Sequence, residues 1–298
     1  MALASLLGRE LRGEILRNEP MARHTSLHVG GPAAYFVTPA DLDDLQRLEG
    51  LLATTGTPWL MVGGGYNLLV RDGGFPGVVI SLANLNRIEL LSGDRITAEA
   101  GATTGRAVRF TEEHRLTGLE FLSGIPGTIG GGIAVNAGAH GETLLDRLAT
   151  LTTIRNGEMA VTGRESLRYG YRHLGLEPGE IVVAATFQLT TGAPAAIEER
   201  IEGFLAHRRT AQRVPFPSAG SFFKNPPGGQ AWRLIDAAGL RGYRIGGAQV
   251  AEAHANFLVN RGGATARDFL ELAGLIKEKV KKESDIDLEE EVRIVGED

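Results

Sequence analysis

The 298-residue chain has no cysteine. Disulfides, thiolate nucleophiles, zinc–cysteine sites and iron–sulfur clusters held by this chain are therefore excluded, and the composition fits a reducing compartment. No apolar run approaches the roughly 20 residues that cross a bilayer, and a mean hydropathy of -0.05 leaves no membrane-like excess. Basic charge is not in surplus either. Lys plus Arg number 31 against 36 Asp plus Glu, a formal charge of -5, which disfavours nucleic acid as a partner. The usual nucleotide fingerprints are missing: there is no G-x-G-x-x-G, and no Walker lysine follows a glycine loop. Histidines do not cluster at ligand spacing, since His24 and His28 stand four apart with no carboxylate between them, and no metal is expected. The N-terminal stretch mixes charges among Leu3, Leu6, Leu7 and Leu11 without a small-residue cleavage site, so it reads as a short amphipathic helix. A cytoplasmic protein is expected, with neither a membrane contact nor an obligate protein partner.

What the chain has in excess is glycine. It supplies 41 of 298 residues, about twice the ordinary ~7%, and the surplus is concentrated in a few places. Three regions follow from the texture. Residues 1–80 carry strand-like AAYFVTP, TPWLMVG and GVVISL around one helical segment, in which Leu42, Leu45, Leu48, Leu51 and Leu52 repeat near period 3.6, a β-α-β unit. Residues 81–192 hold short strands (RITAEA, ATLTTIRNG, EIVVAATFQL) and the helix GRAVRFTEEHRLTG, a second α+β lobe. Residues 193–298 open with the charged helix AIEERIEGFLAHRRTAQ and could fold as a separate cap. The segment KEKVKKESDIDLEEE reads as a solvated helix running into a turn.

Five segments carry chemistry. In Val62-Gly-Gly-Gly-Tyr-Asn-Leu-Leu-Val70 three glycines expose successive N–H groups and can form an anion-binding nest, although a GGG turn is also simply a tight turn. The stretch from Gly124 to Gly141, GIPGTIGGGIAVNAGAHG, has more glycine than turns require. Its backbone is expected to come close to something flat or phosphorylated, with Thr128 and Asn136 as side-chain donors. Two such loops suggest one extended ligand. The proline-bounded PSAGSFFKNP gathers Ser221, Lys224 and Asn225 on a loop, where sites usually sit. Ser221 lacks the elbow of a hydrolase nucleophile, and ordinary turn capping is the competing reading. Tyr169-Gly-Tyr-Arg172 reads by default as an edge strand with a surface charge. In Leu288-Glu-Glu-Glu-Val-Arg-Ile-Val-Gly296, alternation would turn one glutamate inward.

Taken together, in this order and from about His24 to Gly296, these segments resemble the UDP-N-acetylenolpyruvoylglucosamine reductase (MurB) family, in its shorter second type. The resemblance implies an α+β fold of the vanillyl-alcohol-oxidase/PCMH flavoprotein type, with a two-lobe FAD-binding domain and a C-terminal α+β substrate-binding domain. It implies non-covalent FAD, NADPH as co-substrate and a nucleotide-sugar substrate, whose enolpyruvyl ether is reduced in peptidoglycan precursor synthesis. FAD contacts fall on Gly63, Gly64, Gly65, Tyr66, Asn67 and Leu68, and on Gly127, Thr128, Gly131 and Asn136. Arg172 and Glu291 match the pair at the substrate carboxylate, the glutamate kept protonated by an acidic neighbour, and Ser221 matches the proton donor. Tyr171, Arg209, Lys224, Asn225 and His254 fall at substrate-binding positions. Tyr66 stands where the family usually has serine, and Leu174 where a serine commonly follows.

Two other readings compete. A different flavin oxidase on the same fold would share the glycine loops but has no use for GSFFKNP and EVR, and an anaerobic assay with and without NADPH separates the two. A non-catalytic nucleotide-sugar-binding protein would have no need to keep Arg172, Ser221 and Glu291 together, and would purify colourless.

Overall fold

In a computed structural model, which describes residues 3–211 and 214–298 and gives no side-chain account of Ala211, the chain folds as two compact units. The last residue of the expected charged helix, Gln212, lies outside the described residues, as do Met1 and Ala2. The first unit takes in residues 1–16, 35–64 and 77–207, and the second joins 17–34 and 65–76 to 208–298.

The helical periodicity of the first unit is realised in Leu42–Thr55, where Leu45, Leu48 and Leu52 are buried. Asp41 begins that helix by accepting the Asp44 N–H, and Gly56 ends it in the left-handed conformation. Strand Trp59–Val62 runs parallel to Phe75–Ser81, Trp59 facing Val78. The four strands of this sheet follow the order Glu14–Pro20, Pro32–Thr38, Phe75–Ser81, Trp59–Val62. The β-α-β crossover from Pro32–Thr38 to Trp59–Val62 thus has a third strand inserted between its ends.

An antiparallel five-stranded sheet follows, in the order Glu158–Gly163, Leu148–Arg155, Ile181–Gln188, Arg95–Glu99, Ile88–Leu91. Phe121, Phe187, Leu151, Ile154, Ile133 and Leu144 meet in the same core. The hairpin of Leu148–Arg155 and Glu158–Gly163 closes on Asn156-Gly157, both with positive φ, the turn chemistry that matches strand twist. Charge complements it. Glu49, only 6% exposed on helix Leu42–Thr55, accepts N–H bonds from both Asn156 and Gly157.

The second unit is built on strands Ser218–Ser221, Phe257–Asn260, Ala248–Val250 and Arg244–Ile245, in that sheet order. Helix Ala266–Ser284 packs its buried face, Phe269, Leu272, Ala273, Ile276 and Val280, into the core that holds Phe222, Phe223, Leu27 and Leu69. Its start is heavily specified. Thr265 and Asp268 form a reciprocal capping box, and the Asp72 carboxylate accepts the N–H groups of Ala266 and Arg267. The terminal EVRIVG stretch forms strand Arg293–Val295, which pairs parallel with Leu68–Val70. No helix among the described residues is long and apolar enough to cross a membrane.

Removing the Glu49 carboxylate leaves two turn N–H groups without their acceptor. Glu49→Ala is expected to cost about 2 kcal/mol, read as a lower urea midpoint by circular dichroism. A shift below about 0.5 kcal/mol would show that the buried pairing makes no net contribution.

Candidate active site

Each motif is positioned by its own unit. In the first, the two glycine loops come together. A Cβ on Gly63 would stand 2.6 Å from Thr128 Oγ1 and 3.8 Å from the Gly131 Cα. Thr128 caps the short helix Ile129–Ala134 by accepting the Gly131 N–H at 3.3 Å. Several glycines of the second loop answer to the protein itself: a Cβ on Gly130 would meet Ala100 Cβ at 2.7 Å, and one on Gly132 would meet Leu144 Cδ1 at 2.6 Å. Gly131 is exposed, and a Cβ there would meet only its own cap hydroxyl, at 3.3 Å. That single contact is tight, so the demand for glycine there comes from the cap and not from the core. Other N–H groups of the loop are held by the chain itself, that of Gly131 by the Thr128 hydroxyl. The N–H groups of Ile129, Gly130 and Gly132 are held by Ala102 O, Ala100 O and Thr128 O. Among the described residues those of Gly127 and Thr128 have no acceptor in the chain, so they are the amides open to an anion.

Asn136 is buried with φ +40. Its Nδ2 donates to Gly170 O at 3.0 Å, and its Oδ1 accepts the Leu145 N–H at 3.3 Å. The side chain thus ties the second glycine loop to the YGYR segment. That segment is a tight hairpin, not an edge strand: Tyr169–Gly170 pairs with His173–Leu174, and Tyr171 and Arg172 make the turn. Arg172 has φ +54, a conformation that costs a residue with a Cβ roughly 1–2 kcal/mol. Its Nη1 donates to Gly138 O at 3.2 Å, and its guanidinium lies 5.5 Å from the ring centroid of Tyr171, which is 58% exposed. Leu174, the departure from the family pattern, is buried in the core, and the glycine loop supplies Arg172 with one partner, the Gly138 carbonyl.

In the second unit, Gly65 is fixed by the segment HTS. Its φ is +67, a Cβ would sit 2.0 Å from His24 O, and its own carbonyl accepts the Ser26 N–H. Tyr66 is exposed, and Leu68 is buried in its strand. Asn67 closes the loop against the chain end: Nδ2 donates to Glu291 O at 3.0 Å, and its carbonyl accepts the Arg293 N–H at 3.1 Å. Ser221 ends strand Ser218–Ser221 opposite Phe257, after an irregularity at Gly220, where φ is +71. One residue on, the Phe222 carbonyl accepts the Glu291 N–H at 2.8 Å. Ser221 and Glu291 are thereby placed on adjoining stretches of backbone.

The acidic neighbours of Glu291 are paired with cations. Glu290 meets Lys277 Nζ at 2.9 Å, and Glu289 pairs with Lys224. Asn225 Oδ1 accepts the Ala231 N–H, and Arg209 is exposed on helix Pro194–Ala211. His254 is half-buried, 4.6 Å from the ring centroid of Phe257, with its Nδ1 buried and without a hydrogen-bond partner among the described residues. Nothing in the sequence marks Asn256, whose carboxamide holds both peptide groups of Phe223 across 33 positions.

The chain is an FAD-containing oxidoreductase with the α+β fold of the vanillyl-alcohol-oxidase/PCMH flavoprotein type. A profile described as an FAD binding domain matches residues 33–162, and a Physcomitrella patens protein, BBE-like 1, shares the fold at 16% identity, with TM-score 0.51 over 64% of this chain and 45% of that one. A profile for the C-terminal domain of UDP-N-acetylenolpyruvoylglucosamine reductase matches residues 210–295. The reductase of that name from Geobacter metallireducens is 64% identical over 296 residues, 99% of each chain. The crystal structure of the MurB protein from Thermus caldophilus has TM-score 0.82 and 34% identity over 95% of this chain and 99% of that one. The chain belongs to the UDP-N-acetylenolpyruvoylglucosamine reductase family.

Burial, with the Arg241 charge adding to it, holds the His254 imidazole below its ordinary pKa of 6.5. An unfolded chain takes up a proton near that value which the folded His254 refuses, so stability is full above it and declines as pH falls toward the folded pKa. Urea midpoints measured between about pH 7.5 and pH 5 are expected to fall less steeply in His254→Phe than in the parent. Equal slopes would assign the acid-side loss to other groups.

Proposed function

We propose that the chain catalyses the reduction of the enolpyruvyl ether of UDP-N-acetylglucosamine to UDP-N-acetylmuramate, with NADPH as reductant, and that Arg172, Ser221 and Glu291 are its catalytic residues. FAD, when bound, supplies the hydride relay from NADPH to the terminal carbon of the enolpyruvyl group. The residues to hold it are Gly63, Gly64, Gly65, Tyr66, Asn67 and Leu68 of the first loop with Gly127, Thr128, Gly131 and Asn136 of the second. The Asn67 and Asn136 side chains would hold the loops in shape while the main chain meets the cofactor.

Conjugate addition of hydride leaves negative charge on the substrate carboxylate. Fixed donors aimed at that charge are the largest contribution a protein can make. The Arg172 guanidinium neutralises it, Glu291 in its acid form donates a hydrogen bond to a carboxylate oxygen, and the Ser221 hydroxyl delivers a proton to the carbon next to the carboxylate. Serine is a weak acid, so this last step needs the strongly basic carbon that hydride addition creates. Ser221 then regains its proton from water. Tyr171, Arg209, Lys224, Asn225 and His254 would bind the rest of the nucleotide sugar, with Lys224 leaving its exposed partner Glu289 for a phosphate, because such surface pairs are weak. Both reactants are charged solutes, which suits a cytoplasmic site for this activity. The observation that supports the reading most is the backbone of Phe222, bonded to Glu291 and adjoining Ser221.

Two outcomes test it. Ser221→Ala is expected to leave flavin bleaching by NADPH nearly unchanged and to slow reoxidation by the enolpyruvyl nucleotide by about 100-fold or more; anaerobic stopped-flow absorbance separates the steps, and equal slowing of the two would remove Ser221 as proton donor. Arg172→Gly relieves the positive φ, so its stability should stay within about 1 kcal/mol of the parent, while turnover falls about 100- to 1,000-fold. A large loss of stability, with turnover per folded molecule intact, would make Arg172 a structural residue.

A further inference from the structure

The ladder between Ser218–Ser221 and Phe257–Asn260 ends at the pair Ser221 and Phe257. Beyond it the partner chain turns away, the Phe257 N–H closing back on His254 O at 2.9 Å. A strand that loses its partner there would fray at the residue that carries the proposed proton donor. The side chain of Asn256 replaces the missing strand. Its Oδ1 accepts the Phe223 N–H at 3.0 Å, its Nδ2 donates to Phe223 O at 2.8 Å, and its own carbonyl accepts the Phe222 N–H at 2.8 Å. At 2% exposure the carboxamide is out of reach of water, so both of its bonds are made under conditions where losing one is costly.

The other edge of the same stretch carries the chain end. Phe222 O accepts the Glu291 N–H, Phe223 forms a bridge with Glu290, and the Lys224 N–H donates to Glu289 O. Asn67 then holds the Glu291 carbonyl from the far side. Phe222 and Phe223 are thus a single hydrogen-bonded step between Asn256 and Glu291, and Phe222 is covalently next to Ser221.

We propose that Asn256 is a positioning residue for Ser221 and Glu291: it holds the Phe222–Phe223 backbone so that the proton donor and the acid keep their register. The inference rests on the proposed roles of those two residues. Loss of the clamp is expected to act on the step that uses Ser221 and Glu291, and not on the transfer from NADPH to FAD.

The test uses the full-length, FAD-loaded protein, with rates normalised to bound FAD. Asn256→Asp keeps an acceptor for the Phe223 N–H but loses the donor and brings a buried carboxylate; Asn256→Ala removes both partners without adding charge. Bleaching by NADPH should stay within about twofold of the parent, while reoxidation by the enolpyruvyl nucleotide slows about 10- to 100-fold, the scale of a misplaced catalytic group. In a Glu291→Gln background the further effect of Asn256→Ala should shrink below about threefold, since the two act through one path. A residue that only stabilises the sheet would lower the thermal midpoint and leave both steps unchanged, and that result overturns the proposal. So does an undiminished effect in the Glu291→Gln background. Ser221→Ala and Glu291→Gln alone distinguish the two levels: if both turn over like the parent, the catalytic assignment itself has failed, whereas slow controls beside fast Asn256 variants reject only the positioning role.

Discussion

The parallel pairing of Leu68–Val70 with Arg293–Val295 is the constraint on which the second unit depends. Parallel strands cannot be joined by a tight turn, and here Asn67 reaches Glu291 across 224 positions. The entropy of closing so long a loop grows only logarithmically, so a short pairing suffices if it is well buried, and Leu69, Val70 and Val292 are all in the core. The register is carried on beyond the strand by the Arg71 N–H to Val295 O and the Gly73 N–H to Glu297 O. One consequence is chemical. The end of a glycine loop and the residue proposed as acid are set by the same few hydrogen bonds, so neither can drift without the other.

Glycine plays two separate parts in this chain. At Gly63, Gly65, Gly130 and Gly132 it lets backbone approach backbone or side chain more closely than a Cβ permits, and substitution there would disturb the loops from inside. At Gly131 only the Thr128 hydroxyl is near, 3.3 Å from where a Cβ would stand. A loop whose internal packing is already complete holds its exposed amides in place before a ligand arrives, which is the condition for binding without an ordering cost. The shortage of free N–H groups on helix Ile129–Ala134 fits the same picture, since the open amides belong to the residues just before it.

Long elements with a clear period were legible in the sequence. Leu42–Thr55 shows its buried stripe through leucines near period 3.6, whereas the helix expected to be solvated from residue 277 on is the end of Ala266–Ser284 and buries Val280. The discontinuous second unit was not legible, because residues 17–34 and 65–76 join 208–298 through space and no change of composition marks the cuts. At the site, the motifs identified the family jointly, yet their side chains hold one another in ways that spacing cannot show. Asn67 and Asn136 stand in glycine loops and read as ligand donors, but their carboxamides complete the protein's own backbone. Asn256 gives no signal at all, since its partner Phe223 is 33 positions away. The strain at Arg172 was equally invisible: turn residues are usually glycine or asparagine, and an arginine there hides the turn while marking a demand on the side chain.

Three of the buried polar side chains are asparagines, at positions 136, 256 and 260, and each pairs with peptide groups: Asn260 holds Leu27 O and the Gly262 N–H as Asn136 and Asn256 hold theirs. A carboxamide has the donor and acceptor of a peptide bond, so it can finish a strand or loop whose partner has run out. Aspartate would offer no donor and would bring a buried charge, whose solvation cost is far larger than that of an amide. Neutral clamps matter most where the proposed chemistry builds negative charge on a substrate carboxylate next to Glu291. With the nearby Glu289 and Glu290 already paired to lysines, holding the backbone with carboxamides keeps further anions away from that point. The carboxamides of Asn256 and Asn260 thus complete the backbone of the second unit without adding to the charge there.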